Sequence, residues 1–408
     1  MIEKLKERLA RIPKLQFETG QRSEQSPVTT YYLILVPVIT LIVLGFVMVF
    51  SASTVRVISQ GENPYSAYAR NLAIMAFGVL AMVIAMRMPI KFWYRISFIA
   101  FIATLFLQAL VLTPLGVASG GNTNWIMIPG VSFLLQPSEL LKVGLAMYIG
   151  WVFVQSKMDR TNLKHVAINV GIPVVLSLGL ILAGHDLGTA MVVAALAAGA
   201  LAAAKIPGKW FAYGVLIMAP LGAFAVSMNE SRKARVLAVI PGFRTPPDPS
   251  APKQIDHAMW ALGSGGLTGV GPGASKEKWN YLAEAHTDFI FAILGEELGL
   301  IGTMIVVVTF GVLIYGLTRL TLNHSDDYAR IVTGGVTLWI AVQAIINMGA
   351  VVAVLPVIGV PLPLISTGGS AFVATCGALG IVLSFARKDS GMEKAFGVRT
   401  LFRFPKRK

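Results

Sequence analysis

The sequence predicts an all-α polytopic membrane protein, and three observations carry that prediction. Of its 408 residues, 55% are hydrophobic and only 13% are charged, whereas about a quarter of a soluble domain is charged. Apolar runs of about 20 residues, each long enough to cross a bilayer as a helix, recur along the chain. The basic residues between them fall in alternate short connections, as expected when one side of a membrane collects positive charge.

Residues 1–30 form an N-terminal tail carrying Lys4, Lys6, Arg8, Arg11, Lys14 and Arg22. Ile2, Leu5, Leu9 and Ile12 recur there at helical spacing, which reads equally as an interfacial amphipathic helix or as a solvated tail. No cleavable signal peptide is expected, because the first apolar run is long enough to span. About ten transmembrane helices are expected within 31–386, at 31–53, 70–88, 93–113, 137–156, 165–183, 187–204, 210–228, 289–318, 329–353 and 366–386. No internal repeat is evident. Arg87, Lys91 and Arg95, then Lys157, Arg160 and Lys164, then Lys205 and Lys209, and finally Arg319 and Arg330 mark inside connections. The loops 114–136 and 354–365 carry no Lys, Arg, Asp or Glu and belong outside. Both termini are then expected in the cytoplasm.

A long loop, 229–287, separates helices seven and eight and is expected to be extracytoplasmic. It holds a Pro-rich turn from Pro241 to Pro252 and a Gly-rich run from Leu262 to Gly273. Trp260, Trp279 and Tyr281 suit a position at the membrane boundary, where aromatic rings gather. The C-terminal tail, 387–408, has eight Lys or Arg against two acids. The net charge of +14 therefore follows membrane topology, and anionic lipid is a simpler partner than nucleic acid, which is not expected. The single cysteine, Cys376, excludes an intrachain disulfide.

The best place to look for chemistry is the segment from Ala283 to Ala292, which sets His286 and Asp288, with Glu296 and Glu297 beyond, against an apolar run. A carboxylate at a helix centre costs about 2.5–3.5 kcal/mol on insertion scales, so such a cluster is a functional hypothesis by default. Asp288 reads as a general base tuned by burial. Capping of helix eight by Thr287 or Asp288 is the competing reading. Glu297 falls about half a turn away from Asp288 on an ideal helix, so the two glutamates read as packing partners of that helix. Gln136-Pro-Ser-Glu-Leu-Leu-Lys142 opens helix four with Pro137 in the first turn. Glu139 and Lys142 share a helix face, either as a buried ion pair or as the lining of a polar cavity. Asp186 reads as the cap of helix six. Arg232, Lys233 and Arg235 read as a phosphate-holding group or as a solvated basic run. The Gly-rich run lacks the βαβ setting of a nucleotide loop, so its glycines serve tight turns and close backbone approach. Asn347 and the Pro/Gly-rich segment from Leu355 to Ser370 suggest irregular backbone lining a cavity.

At these residues the chain resembles the SEDS family (shape, elongation, division and sporulation), which includes FtsW, RodA and SpoVE. The matching blocks are Asn124-Trp125, Gln136–Lys142, Asp186-Leu-Gly-Thr189, Ala261–Gly266, Glu284–Ala292 with Gly295–Gly299, and Pro361–Ser366 with Gly368-Gly-Ser370. Their common order over nearly the whole membrane region makes the resemblance specific. It implies a ten-helix fold and a peptidoglycan glycosyltransferase that polymerises lipid II at the outer leaflet. Asp288 matches the family's essential carboxylate, which implies that it deprotonates the acceptor's 4-hydroxyl. Glu139, Lys142, Arg232, Arg235, Lys278, His286 and Ser366 match substrate-binding positions, the basic ones as candidates for holding pyrophosphate. A divalent cation, Mg or Mn, is compatible with that chemistry, but no ligand set is legible.

Ser51-Ala-Ser53 and Gly295-Glu-Glu297 lean towards the division members of the family. That implies septal location, a class B penicillin-binding transpeptidase partner and the divisome, since the chain has no serine transpeptidase motif. Elongation or sporulation roles are the alternatives within the family. Ala283, Thr367 and His257 depart from the family's usual Pro, Tyr and Gln. Outside glycosyl transfer, the same acids would serve a lipid II flippase or a proton-coupled transporter, and a structural scaffold is a third option. The missing repeat and the acids gathered towards one side argue against transport.

Overall fold

The computed structural model describes residues 26–390 apart from 60–63, 120–121, 128–133, 156–157, 229, 241–252 and 280. Residues 1–25 and 391–408 of the two tails and the Pro-rich turn therefore lie outside the described residues, whereas Pro27–Thr30 and Arg387–Asp389, expected in the tails, belong to the first and last helices. The expected apolar runs each fold as helix. They are α1 (Pro27–Ser59), α2 (Pro64–Arg87), α3 (Ile90–Leu110), α4 (Pro137–Val154), α5 (Leu163–Ala183, with a π turn at Ala167–Gly171), α6 (Leu187–Ala203) and α7 (Gly208–Ser227). After the long loop, which contributes α8 (Glu230–Leu237) and α9 (Gln254–Gly265), come α10 (Ile290–Asn323), α11 (Asp327–Val351) and α12 (Gly369–Asp389). Eight of these are long and apolar enough to cross a membrane; α6 is a shorter apolar helix. The protein is a multi-pass membrane protein.

The centre of the bundle is made by α4, α11 and α12, whereas α2 and α3 keep most of their apolar surface exposed at the periphery. Exposed Phe77, Leu80, Ile99 and Phe106 are what a helix presents to hydrocarbon rather than to water. Lipid tails offer no hydrophobic gain for pairing helices, so close contact relies on small residues. Along the α6–α11 seam, Gly199 and Gly334 bring the two backbones together beside Ala200 and Ala203.

Two features were not expected. The uncharged loop 114–136 forms a three-stranded antiparallel sheet of β1 (Gly116–Ser119), β2 (Asn122–Met127) and β3 (Leu134–Leu135), with a bulge between Val117 and Ala118. Helix α10, at 34 residues, extends further than the expected 289–318 and is broken at Gly299, whose φ of 67° is open to glycine but strained for other residues. The Gly-rich run is laid against this break. Val270 and Gly271 donate to the carbonyls of Glu296 and Glu297, while Leu300 and Ile301 donate to those of Gly266 and Leu267. A side chain at Gly269 would collide with the Glu297 carbonyl, so the run's glycines serve close backbone approach.

Candidate active site

Four segments meet at one end of the bundle: the α5–α6 turn, α8, the turn before α10, and the hairpin after α11. Asp186 holds the first in place. Its carboxylate caps α6 through the Thr189 N–H at 2.8 Å, and also accepts from the Thr189 hydroxyl at 2.6 Å and from Asn124 Nδ2 at 2.9 Å. Arg232 of α8 donates to the His185 carbonyl at 2.6 Å and Arg235 donates to the Val357 carbonyl at 3.4 Å. Both predicted arginines are thus drawn to the Asp288 end. Lys233, by contrast, is exposed and stands 3.7 Å from Glu230.

Asp288 lies at the centre of this meeting. It lines a small cavity with Phe289, Ile346, Asn347, Ala350 and residues 357–360. Among the described residues its carboxylate has no hydrogen-bond or ion-pair partner. Burial pushes its pKa up to about 7, and the carboxylates of Glu284 and Asp186 push in the same direction. Capping is not its role. Phe289 occupies the N-cap of α10 without a side-chain bond, and the Thr287 hydroxyl turns back to Glu284. Burial likewise raises Asp186, opposed by its Thr189 bonds and by Lys142 and Arg232.

The Asp288 turn is fastened to the hairpin through its backbone. Asn347 Nδ2 donates to the carbonyls of Asp288 and Val360, both at 2.8 Å. The Ser366 hydroxyl donates to the Thr287 carbonyl at 2.6 Å and accepts from the Leu362 N–H at 2.8 Å. Thr367 donates to the His286 carbonyl through both its N–H and its hydroxyl. Ser366, predicted to contact substrate, and Thr367, where the family usually has Tyr, therefore both secure the turn. His286 supplies its carbonyl to this fastening.

Glu139 and Lys142 are enclosed rather than lining an open cavity, each at most 2% exposed. Lys142 Nζ stands 2.9 Å from Glu139 and 3.1 Å from Gln343 Oε1, and 4.4 Å from the centre of the Trp339 ring. Gln343 also accepts from Trp339 Nε1 and donates to the Pro361 carbonyl at 2.8 Å. The pair thus braces the base of the hairpin. Lys278 is also committed to the fold. Its ammonium donates to Glu297 at 2.8 Å, Ser51 at 2.9 Å and the Gly273 carbonyl at 2.7 Å. An ammonium has three donors, so none is left for a phosphate. Glu296 accepts from Ser275 and from the Lys276 N–H. Both glutamates are therefore packing partners. His257, where the family usually has Gln, sits 2.7 Å from Glu277.

A divalent cation finds no protein donor set here among the described residues. Among the described residues no three His, Cys, Asp or Glu side chains gather as metal ligands, and the Asp186 and Glu139 carboxylates are already engaged. Sequence reasoning missed Gln343 and Trp339 altogether and noted Asn347 only as part of the hairpin. Neutral residues in an apolar run raise no charge alarm.

The comparisons with known proteins agree with this architecture. The cell cycle protein family of FtsW, RodA and SpoVE matches residues 31–391. The probable peptidoglycan glycosyltransferase FtsW of Mycobacterium tuberculosis is 35% identical over 374 residues, covering 89% of this chain and 69% of that protein. The FtsW of Geobacter metallireducens, with the same name, is 33% identical over 364 residues, 88% of this chain and 95% of its own. Among solved structures, the rod shape determining protein RodA of Thermus thermophilus aligns with a TM-score of 0.63 at 23% identity, covering 90% of this chain and 99% of that one. A chain from a peptidoglycan synthase complex that coordinates polymerization and crosslinking aligns at 0.69 and 24% identity, over 87% of this chain and 96% of that one. With its matching blocks in order, its fold shared and its relatives above 30% identity along most of their length, the chain belongs to the FtsW/RodA/SpoVE family of cell cycle proteins.

Proposed function

We propose that this protein is a peptidoglycan glycosyltransferase that polymerises lipid II into glycan strands at the outer leaflet. The observation that carries the reading is Asp288: a carboxyl without a partner, balanced near neutrality by burial, where four segments meet. In its ionised form it removes the proton from the 4-hydroxyl of the acceptor sugar as that oxygen attacks the anomeric carbon of the donor. The bond to undecaprenyl pyrophosphate breaks, and the leaving group departs with its electron pair. Arg232 and Arg235, on the adjoining helix, place positive charge beside the developing pyrophosphate. Glu139, Lys142, His286 and Ser366 act by positioning the turn and hairpin, and Lys278 by anchoring the Gly-rich run.

The division-type motifs and the FtsW relatives favour septal synthesis, with a class B penicillin-binding transpeptidase and the divisome as partners. On this reading both termini are cytoplasmic and the loop 229–287 faces outwards.

Polymerisation of purified lipid II by wild type and Asp288→Asn, each with the transpeptidase partner, tests the assignment. Loss of at least a hundredfold in rate is expected for the variant. Full polymerisation by it removes the base role, and lipid II crossing the bilayer of proteoliposomes without polymer points to transport.

A further inference from the structure

Asn347 of α11 carries an unusual combination of contacts. Its side chain is 2% exposed, and Nδ2 bridges the carbonyls of Asp288 and Val360. Reversing the amide would set its oxygen against those two carbonyl oxygens, so the orientation is fixed. The remaining atom, Oδ1, is buried with no hydrogen-bond partner. Native proteins rarely keep a buried acceptor unsatisfied without a reason. Asn347 lines the same small cavity as Asp288, and the other side chains around it are apolar.

We propose that Asn347 Oδ1 and the Asp288 carboxylate form one site for hydroxyl hydrogens, making Asn347 a positioning residue for the reaction. Two neighbouring acceptors in an apolar lining are satisfied together by a neutral O–H donor of small size. Water satisfies them by giving one hydrogen to each. The acceptor sugar satisfies them with two adjacent hydroxyls, the reacting one on Asp288 and its neighbour on Asn347. Either way, Asn347 sets the donor against the base while its Nδ2 holds the base's backbone.

The charged and titratable groups around Asp288 are Glu284 and His286 on its own turn, His185 and Asp186 on the α5–α6 turn, and Arg232 and Arg235 on α8. Helix α11 from Trp339 to Val351 and the hairpin 354–365 add none. Asn347 is therefore the polar side chain that α11 presents to the site.

The inference rests on Asp288 being the base, and its test is separable from that reading. The pH dependence of kcat and of kcat/KM is measured for wild type and Asn347→Leu, each with the transpeptidase partner. A donor to the carboxylate favours its ionised form, so losing the donor moves the acidic limb upwards. A move of at least half a pH unit is expected. Held water moves the limb of kcat/KM, which reports the free enzyme, whereas sugar hydroxyls move only that of kcat, which reports the bound complex. A uniform drop in rate with unchanged limbs leaves Asn347 a backbone clamp alone and overturns the proposal. If Asn347→Leu does not fold, Asn347→Ser, whose shorter side chain withdraws the acceptor, is judged by the same limbs. Unimpaired polymerisation by Asp288→Asn is a different outcome and removes the base reading itself.

Discussion

At the scale of single residues, the base role proposed for Asp288 comes with a cost in stability. A model-peptide aspartate has a pKa of about 3.9, and burial raises Asp288 to about 7. In kcat/KM the acidic limb is therefore expected near pH 7, with activity falling below it as the base takes up a proton. Linkage gives the matching effect on stability. A raised folded pKa contributes stability that is full below the unfolded value near 4 and is lost as pH rises through the folded value near 7. Asp288→Asn is thus expected to unfold at a higher temperature than wild type at pH 8, and by a smaller margin at pH 5. An unchanged or lower melting temperature for the variant at pH 8 contradicts this. Asp288 was legible in the sequence because charge beside an apolar run is costly. Its freedom from capping was not, since the choice between Thr287, Asp288 and Phe289 depends on backbone angles. Nor was the fate of Lys278, whose partner Ser51 lies 227 positions away.

At the scale of elements, the break in α10 and the Gly-rich run form one unit. The run replaces helical hydrogen bonds lost at Gly299, and the pairs Lys278–Glu297 and Ser275–Glu296 lock it in place. Lys278 and Glu297 are 4% and 1% exposed. Removing one partner of such a buried pair costs about 3–5 kcal/mol, because the other charge is left uncompensated. Lys278→Met is therefore expected to lower thermal stability strongly, and adding Glu297→Leu to restore much of the loss. A variant as stable as wild type would assign the pair no structural role. The glycines announced close backbone approach in the sequence. The break did not announce itself, because glycine is common within membrane helices. The sheet in 114–136 was hidden for another reason: its strands of 4, 6 and 2 residues are too short to show alternation.

At the scale of the whole molecule, the ten apolar runs found in the sequence all became helices, since length and hydropathy suffice for that. Which helices adjoin was not legible. The α6–α11 seam depends on glycine and alanine backbones meeting across 135 positions from Gly199 to Gly334, and no local pattern encodes it. Orientation can be tested directly, because the sole cysteine, Cys376, is fully buried. A cysteine placed at exposed Lys276 of the long loop is expected to react with a membrane-impermeant maleimide in intact spheroplasts. Labelling only after lysis would reverse the orientation.

Helix α10 also acts as a ruler. The break at Gly299 divides its 34 residues into 290–298 and 300–323, about 13 Å and about 36 Å of helix at 1.5 Å per residue, and the second part alone matches a hydrocarbon layer of about 30 Å. The first large apolar side chains exposed on it are Leu300 and Ile301, whereas Ile290 to Glu297 are all buried. That upper tier is roughly 12–15 Å long. Asp288 therefore precedes a buried tier that separates it, along α10, from the first large apolar side chains this helix exposes. On the proposed function, the sugar headgroup rather than the lipid chain is then the part of the substrate that meets Asp288.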